Sequence, residues 1–345
     1  MGPSVRFWWY RSLETGVPHD MRHASRQRRE PTTTRLPRQE HGDVMLVAGD
    51  WVEVKPASEI LRTLDSAGSF EGLPVMPEML PFCGQRFRVA MRADRACVYP
   101  PQFPFRRLEN CVALQGLRCD GSSHGGCQLG CMILWKETWL TKVDGGESHP
   151  DPDRQPPQPD LRVRKDAGAE AYFCQATELV RATAPGDALW RPSQYVRWLR
   201  AGTFTPRELL GMYGRPVMRR AGRFLPSRRR RGTEQSAAPT GLLALQPGDW
   251  VEVKTRQEIA RTLDAKGTHA GLWFGAEMYS HCGTRKRVVR RVDRIIEEST
   301  GRIRPIRHTV ILDGAVCDRY FGCARGMPLM WREVWLKRIE PDPTS

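Results

Sequence analysis

The sequence predicts a mostly β protein of the α+β type, built from two tandem small barrel modules joined by a short helical segment. Three observations carry this. A stretch of about 95 residues occurs twice, and an internal repeat sets an architecture before any single element does. Gly49-Asp50-Trp51-Val52-Glu53-Val54-Lys55 returns as Gly248-Asp249-Trp250-Val251-Glu252-Val253-Lys254, and the match runs ungapped to Asp94-Arg95 and Asp293-Arg294 with about half the positions identical. Within each copy, short runs of alternating apolar and polar residues are separated by glycine-bearing turns, the pattern of short strands in a small barrel.

The elements follow in chain order. Residues 1–45 are rich in Arg, Pro, Thr and His, lack hydrophobic periodicity, and read as a disordered basic arm. Met45 stands directly before the repeat and is a candidate natural start. Module one spans 46–144. Val52 and Val54 alternate with Trp51, Glu53 and Lys55 in a first strand. A short helix follows, opened by Pro56 or Ser58, with Ile60, Leu61 and Leu64 as its apolar stripe and Gly68 suited to its exit. The second copy has a sharper start, because Thr255-Arg256-Gln257-Glu258 is a capping box. Next, Phe87, Val89 and Met91 alternate with Arg86, Arg88 and Arg92, giving a strand with one apolar and one basic face. Val112-Ala113-Leu114 and Val310-Ile311-Leu312 read as a further strand. Trp135-Lys136-Glu137-Thr138-Trp139-Leu140, repeated as Trp331-Arg332-Glu333-Val334-Trp335-Leu336, reads as the last strand. The opening Gly-Asp-x-Val-x-Val is similar to the first strand of SH3-like barrels, so each module is expected to be an SH3-like barrel.

A proline-rich linker at 145–169 leads into a helical connector at 170–222. There, Pro192 to Arg200 reads as a helix, and Thr205-Pro206-Arg207-Glu208 combines a capping box with proline at the first helical position. An arginine-rich linker at 223–241, with Arg228 to Arg231, precedes module two at 242–341.

Ten cysteines supply the chemistry. The amino-terminal apolar run is too short for a signal peptide, and no stretch approaches the roughly 18 apolar residues of a membrane helix. The expected location is therefore cytoplasmic, where clustered thiols bind metal or do redox work more often than they form disulfide frameworks. The candidate metal ligands are Cys83, Cys119, Cys127 and Cys131. Four thiolates can close a tetrahedral zinc site, and glycines beside them let the backbone bend around an ion. The spacing is not that of a zinc ribbon, and an iron–sulfur cluster or ordinary buried thiols remain open alternatives. In module two Cys282, Cys317 and Cys323 align with Cys83, Cys119 and Cys127, while Met327 takes the place of Cys131. That copy is a weaker candidate, with His281 or His308 as a possible fourth ligand. Cys97 and Cys111 could substitute in module one. Cys174 reads as a small buried residue at a helix start, and His124 as a loop residue or an alternative ligand.

The formal charge is +15. It admits nucleic acid as a partner, although no aromatic and basic interleaving of a known nucleic-acid surface is present. Glu53, Glu59, Glu252 and Glu258 fit strand exposure and helix capping rather than paired acid–base work. No phosphate-binding loop, dinucleotide fingerprint, nucleophile elbow or zinc-protease motif occurs.

The Gly-Asp-Trp-Val-Glu-Val, Glu-Met…Cys-Gly, Leu-Arg-Cys-Asp-Gly…His-Gly-Gly-Cys and Trp-Lys-Glu-x-Trp-Leu positions together resemble uncharacterised bacterial proteins with such tandem modules. The likeness covers most of residues 46–341, and that family carries no established activity. The functional expectation is a non-enzymatic binding or scaffold protein with a structural zinc in module one and another protein as its partner. An iron–sulfur or redox component of an enzyme system is the first alternative, and a nucleic-acid-binding protein is the second.

Overall fold

A computed structural model describes residues 45–98, 105–146, 161–165, 170–186, 191–211, 243–317 and 323–340. The basic arm before Met45, most of the proline-rich linker and the arginine-rich linker with Arg228 to Arg231 lie outside the described residues.

Module one runs β1 (Trp51–Val54), α1 (Ala57–Arg62), the hairpin β2 (Ser69–Phe70) and β3 (Leu73–Pro74), a 3-10 turn (Pro77–Phe82), β4 (Arg86–Arg92), β5 (Arg95–Ala96), β6 (Arg106–Arg107), β7 (Cys111–Arg118), β8 (Met132–Lys136), a second 3-10 turn (Glu137–Trp139) and β9 (Leu140–Val143). Its main sheet is antiparallel, five-stranded and curled, in the order β8-β7-β4-β1-β9.

The connector adds β10 (Ala184–Pro185), α2 (Pro192–Arg200) and a helical turn over residues 206–211. Module two repeats the plan with β11 (Trp250–Val253), α3 (Arg256–Ala260), β12 (Thr268–His269), β13 (Leu272–Trp273), a 3-10 turn (Ala276–His281), β14 (Arg285–Arg291), β15 (Arg294–Ile296), β16 (Ile303–Pro305), β17 (Thr309–Val316), β18 (Pro328–Arg332), a 3-10 turn (Glu333–Trp335) and β19 (Leu336–Ile339). Its sheet order, β18-β17-β14-β11-β19, is the same as in module one. The chain is thus mostly β, with two tandem barrel-like modules.

The alternation in β1 sends Val52 and Val54 into the core and leaves Trp51 and Glu53 half-buried, and β11 does the same with Val251 and Val253. Trp135 and Trp139, with Trp331 and Trp335, are fully buried. Trp139 Nε1 donates to Thr63 Oγ1 and Trp335 Nε1 to Thr262 Oγ1, each at 3.0 Å, so both indoles anchor the chain just after the first helix. Thr255 and Glu258 form the expected capping box of α3. In the connector, Glu208 caps Thr205 in the same way.

Two sequence expectations are corrected. Arg92 does not face solvent with Arg88. A β-bulge between Val89 and Met91 breaks the alternation, so Met91 and Arg92 are both buried. Arg92 then donates to Leu46 O at 3.0 Å and to Glu137 Oε1 at 2.5 Å. Nor is the Trp-Lys-Glu-x-Trp-Leu motif one strand. It ends β8, makes a 3-10 turn and starts β9, because Glu137 turns inward to accept the Leu46 amide as well as Arg92. Glu333 repeats this with Leu245 and Arg291.

The modules meet through equivalent surfaces. Gln128 N donates to Arg294 O at 3.1 Å, and its aligned partner Ala324 N donates to Arg95 O at 2.8 Å. Ile296 N donates to Cys127 Sγ at 3.3 Å, and Cys97 N donates to Cys323 Sγ at 3.4 Å. Arg95 aligns with Arg294, Cys97 with Ile296, and Cys127 with Cys323. The contact is therefore isologous, as between two subunits of a symmetric dimer, but within one chain.

The connector binds both modules. Strand β10 extends the small β5–β6 sheet, and Tyr172 N donates to Gly301 O of module two. The buried Gln175 side chain takes the Leu134 amide at 2.9 Å and donates to Leu134 O at 2.8 Å, pairing the edge of β8 at that residue.

Candidate metal centre

The site is built on the loop from Cys119 to Cys131, which follows β7. Cys119 N donates to Cys131 O at 2.8 Å and ties the loop's ends together. Gly121 sits at φ +77°, and a Cβ there would lie 2.0 Å from Cys127 O, so only glycine lets the loop close on itself. His124 N and Gly126 N both donate to Gly121 O, and Asp120 Oδ1 takes the Ser122 amide. These bonds fold His124 inward until it is 1% exposed.

Glu78 comes from the 3-10 turn Pro77–Phe82 and is also buried. Its Oε1 accepts the Ser123 amide at 2.9 Å and lies 2.6 Å from His124 Nδ1. His124 Nε2 lies 3.2 Å from Phe173 O in the connector. A carbonyl only accepts, so Nε2 carries a hydrogen and Nδ1 faces Glu78 and Cys119. Cys119 Sγ is 4.0 Å from Nδ1. The ligand atoms of Glu78, Cys119 and His124 all lie within 4.8 Å of one another. Glu78 Oε2 is buried with no hydrogen-bond partner. Buried carboxylate oxygens are normally satisfied, so this oxygen is available to a ligand. The donor set fits a metal: a thiol, an imidazole nitrogen and a carboxylate oxygen are ordinary ligands. A histidine whose other nitrogen is held by a backbone carbonyl is oriented as metal-bound histidines are.

Beside this group is a small apolar cavity, open at its mouth. Cys119, Cys127, Cys131 and Cys174 line it together with His124, Arg325 and Met327. Burial raises the pKa of Cys119 to about 12, with Glu78 adding to the shift. Burial likewise pushes up Cys127, Cys131 and Cys174, and Cys127 and Cys174 each raise both Cys119 and Cys131. Without an ion these are thiols, and a metal would bind by displacing their protons.

Of the sequence candidates, Cys119, Cys127 and Cys131 come together on this cavity. Cys83 does not line it. It closes the 3-10 turn Pro77–Phe82 and packs on the module-one core. The connector's Cys174, read from sequence as a small buried residue, lines the cavity instead. Cys97 and Cys111 are absent from the lining, and Cys111 is fully buried in β7. In module two, Cys282 ends its own 3-10 turn, and Cys317 N donates to Met327 O just as Cys119 N does to Cys131 O. Cys323 lies at the module interface with its Sγ 3.4 Å from Cys97 Sγ. Among the described residues these three do not gather into a ligand group. His281 packs edge-on against Trp331, and His308 is exposed in a turn at φ 51°.

Glu78 carries no ligand signal in the sequence, and His124 is expected there as a loop residue or an alternative ligand; the structure groups both with Cys119. One signal for His124 was available: the stretch between the two aligned cysteines is shorter in module two and contains no histidine, so a histidine there is peculiar to module one. Comparison with protein families, with curated proteins and with solved structures finds no match.

Proposed function

We propose that the chain is a non-enzymatic binding or scaffold protein in which a zinc ion at the Cys119 cavity holds module one, the connector and module two in one arrangement. The observation that carries this is the group Glu78, Cys119 and His124, with one buried carboxylate oxygen left without a partner. Cys127, Cys131 and Cys174 stand on the same cavity and offer further thiolate donors. The donors and lining residues come from all three parts of the chain. An ion bound there would act as a clamp, and its binding energy would become folding energy. Arg325, on the cavity wall, would offset part of the negative charge of several thiolates. A second reading, an iron–sulfur cluster, is favoured by the spread of the thiols. Four sulfurs at about 2.3 Å from one zinc would lie roughly 3.8 Å apart, whereas Cys119, Cys127 and Cys131 form no group within 4.8 Å. A cluster spaces its cysteine ligands more widely.

X-ray absorption on the anaerobically purified chain separates these. The zinc reading expects a zinc edge with sulfur scatterers near about 2.3 Å and lighter neighbours near about 2.0 Å. An iron edge with iron–iron scattering would replace it with the cluster. A chain that carries neither metal, and takes up none on reconstitution, refutes the centre.

A further inference from the structure

We propose that Cys97 and Cys323 form a reversible redox pair that locks the two modules together as a disulfide when the chain meets a hydroperoxide. Neither thiol lines the metal-centre cavity, so the pair is independent of that site. Cys97 follows β5 of module one, and Cys323 opens the described part of the module-two loop that precedes β18. They are 226 residues apart in sequence, yet their sulfurs are 3.4 Å apart. The Cys97 amide donates to Cys323 Sγ at 3.4 Å, so the Cys323 side chain is already aimed at the Cys97 backbone. Ala324 N donates to Arg95 O at 2.8 Å, and Arg325 Nη1 donates to Cys97 O at 3.2 Å. Arg325 is itself paired with Glu298. Three successive residues of the module-two loop are thus docked on the segment that carries Cys97. A disulfide needs sulfurs at about 2.05 Å, a closure of little more than 1 Å that side-chain rotation can supply.

The internal symmetry shows that this pairing is specific. On the other side of the pseudo-twofold axis, Cys127 Sγ accepts the Ile296 amide in the same geometry. The position equivalent to Cys97 there is isoleucine, so that side cannot cross-link. Cys97 is half-buried at the interface edge, which gives a small oxidant a way in, while Cys323 is buried.

One thiolate of the pair attacks a peroxide oxygen, the O–O bond breaks, and the departing oxygen leaves as water or alcohol after taking a proton. That cysteine is then a sulfenic acid. The other thiolate attacks its sulfur, the S–O bond breaks, and the second oxygen takes a proton and leaves as water. Two thiols are oxidised and one peroxide is reduced. A thiol reductant reverses the step. The product holds the loop bearing Arg325 and Met327, which form one wall of the cavity, against module one.

The test is hydrogen peroxide titration of the full chain, followed by thiol blocking, tryptic digestion without reductant and mass spectrometry. A Cys97–Cys323 linked peptide is expected, lost on dithiothreitol treatment and absent in Cys97→Ser. Oxidised chain should melt on the order of 5 °C or more above reduced chain, because the bond closes a very long loop. The proposal is overturned if Cys97 and Cys323 are recovered separately blocked or over-oxidised. Linkage of Cys323 to any other cysteine also overturns it.

Discussion

Gly121→Ala tests whether the Cys119–Cys131 loop owes its shape to a single residue. Gly121 sits at φ +77°, where a side chain costs about 1–2 kcal/mol. Its Cβ would also lie 2.0 Å from Cys127 O and 2.8 Å from Cys127 N and C. Real Cβ contacts stay beyond 3.0 Å, so backbone must move by about 1 Å, and the atoms in the way belong to the loop's own closing turn. Gly116 provides the control. It has the same φ of +77°, but its Cβ would meet nothing within 4 Å. Gly116→Ala should therefore show the backbone term alone, about 1–2 kcal/mol. Gly121→Ala should lose at least a further 2 kcal/mol, the scale of a forced core rearrangement. Urea unfolding with a fixed m-value reads both differences. Metal content of the same samples should fall in Gly121→Ala and hold in Gly116→Ala. Equal destabilisation of the two variants, with equal metal, would refute the claim that this contact shapes the site.

Other outcomes follow from the same structure. Glu333→Ala strips the acceptor from Arg291 and from the Leu245 and Ala244 amides, and should cost about 3 kcal/mol in urea unfolding. Thr255→Ala should cost about 1 kcal/mol through loss of the α3 cap, seen in the same assay. In metal-free protein, burial holds the pKa of Cys119 at about 12 against an ordinary 9.0, with Glu78 reinforcing the shift. The folded state therefore favours the protonated thiol. That contribution is complete below pH 9 and is lost as pH rises toward about 12, so apo-protein melting should fall across that window. Bound metal should reverse the dependence at lower pH, where proton competition makes the metal-loaded chain less stable as pH falls.

What could be read from the sequence and what could not differ in physical range. The Trp-Val-Glu-Val strands, the Thr255 capping box and the duplication are local patterns, and all appear as expected. Arg92 escaped because a bulge one residue earlier shifts the alternation, and a bulge leaves no mark in a period-two pattern. The Glu137 turn escaped because its cause is the Leu46 amide and the Arg92 guanidinium, far away in sequence. At the site, Cys119, Cys127 and Cys131 stood out by their spacing within one loop. Glu78 and Cys174 reach the same place through tertiary packing, from a 3-10 turn and from the connector. Nothing in their own neighbourhoods announces that destination.

The most direct measurement is the metal content of anaerobically purified full-length chain beside Cys119→Ser. Cys119 belongs both to the Glu78–His124 group and to the thiols around the cavity. The parent should hold metal in fixed ratio to chain, and the variant should lose it while its strands remain folded by circular dichroism. A folded variant that keeps the parent's metal would contradict the proposed centre.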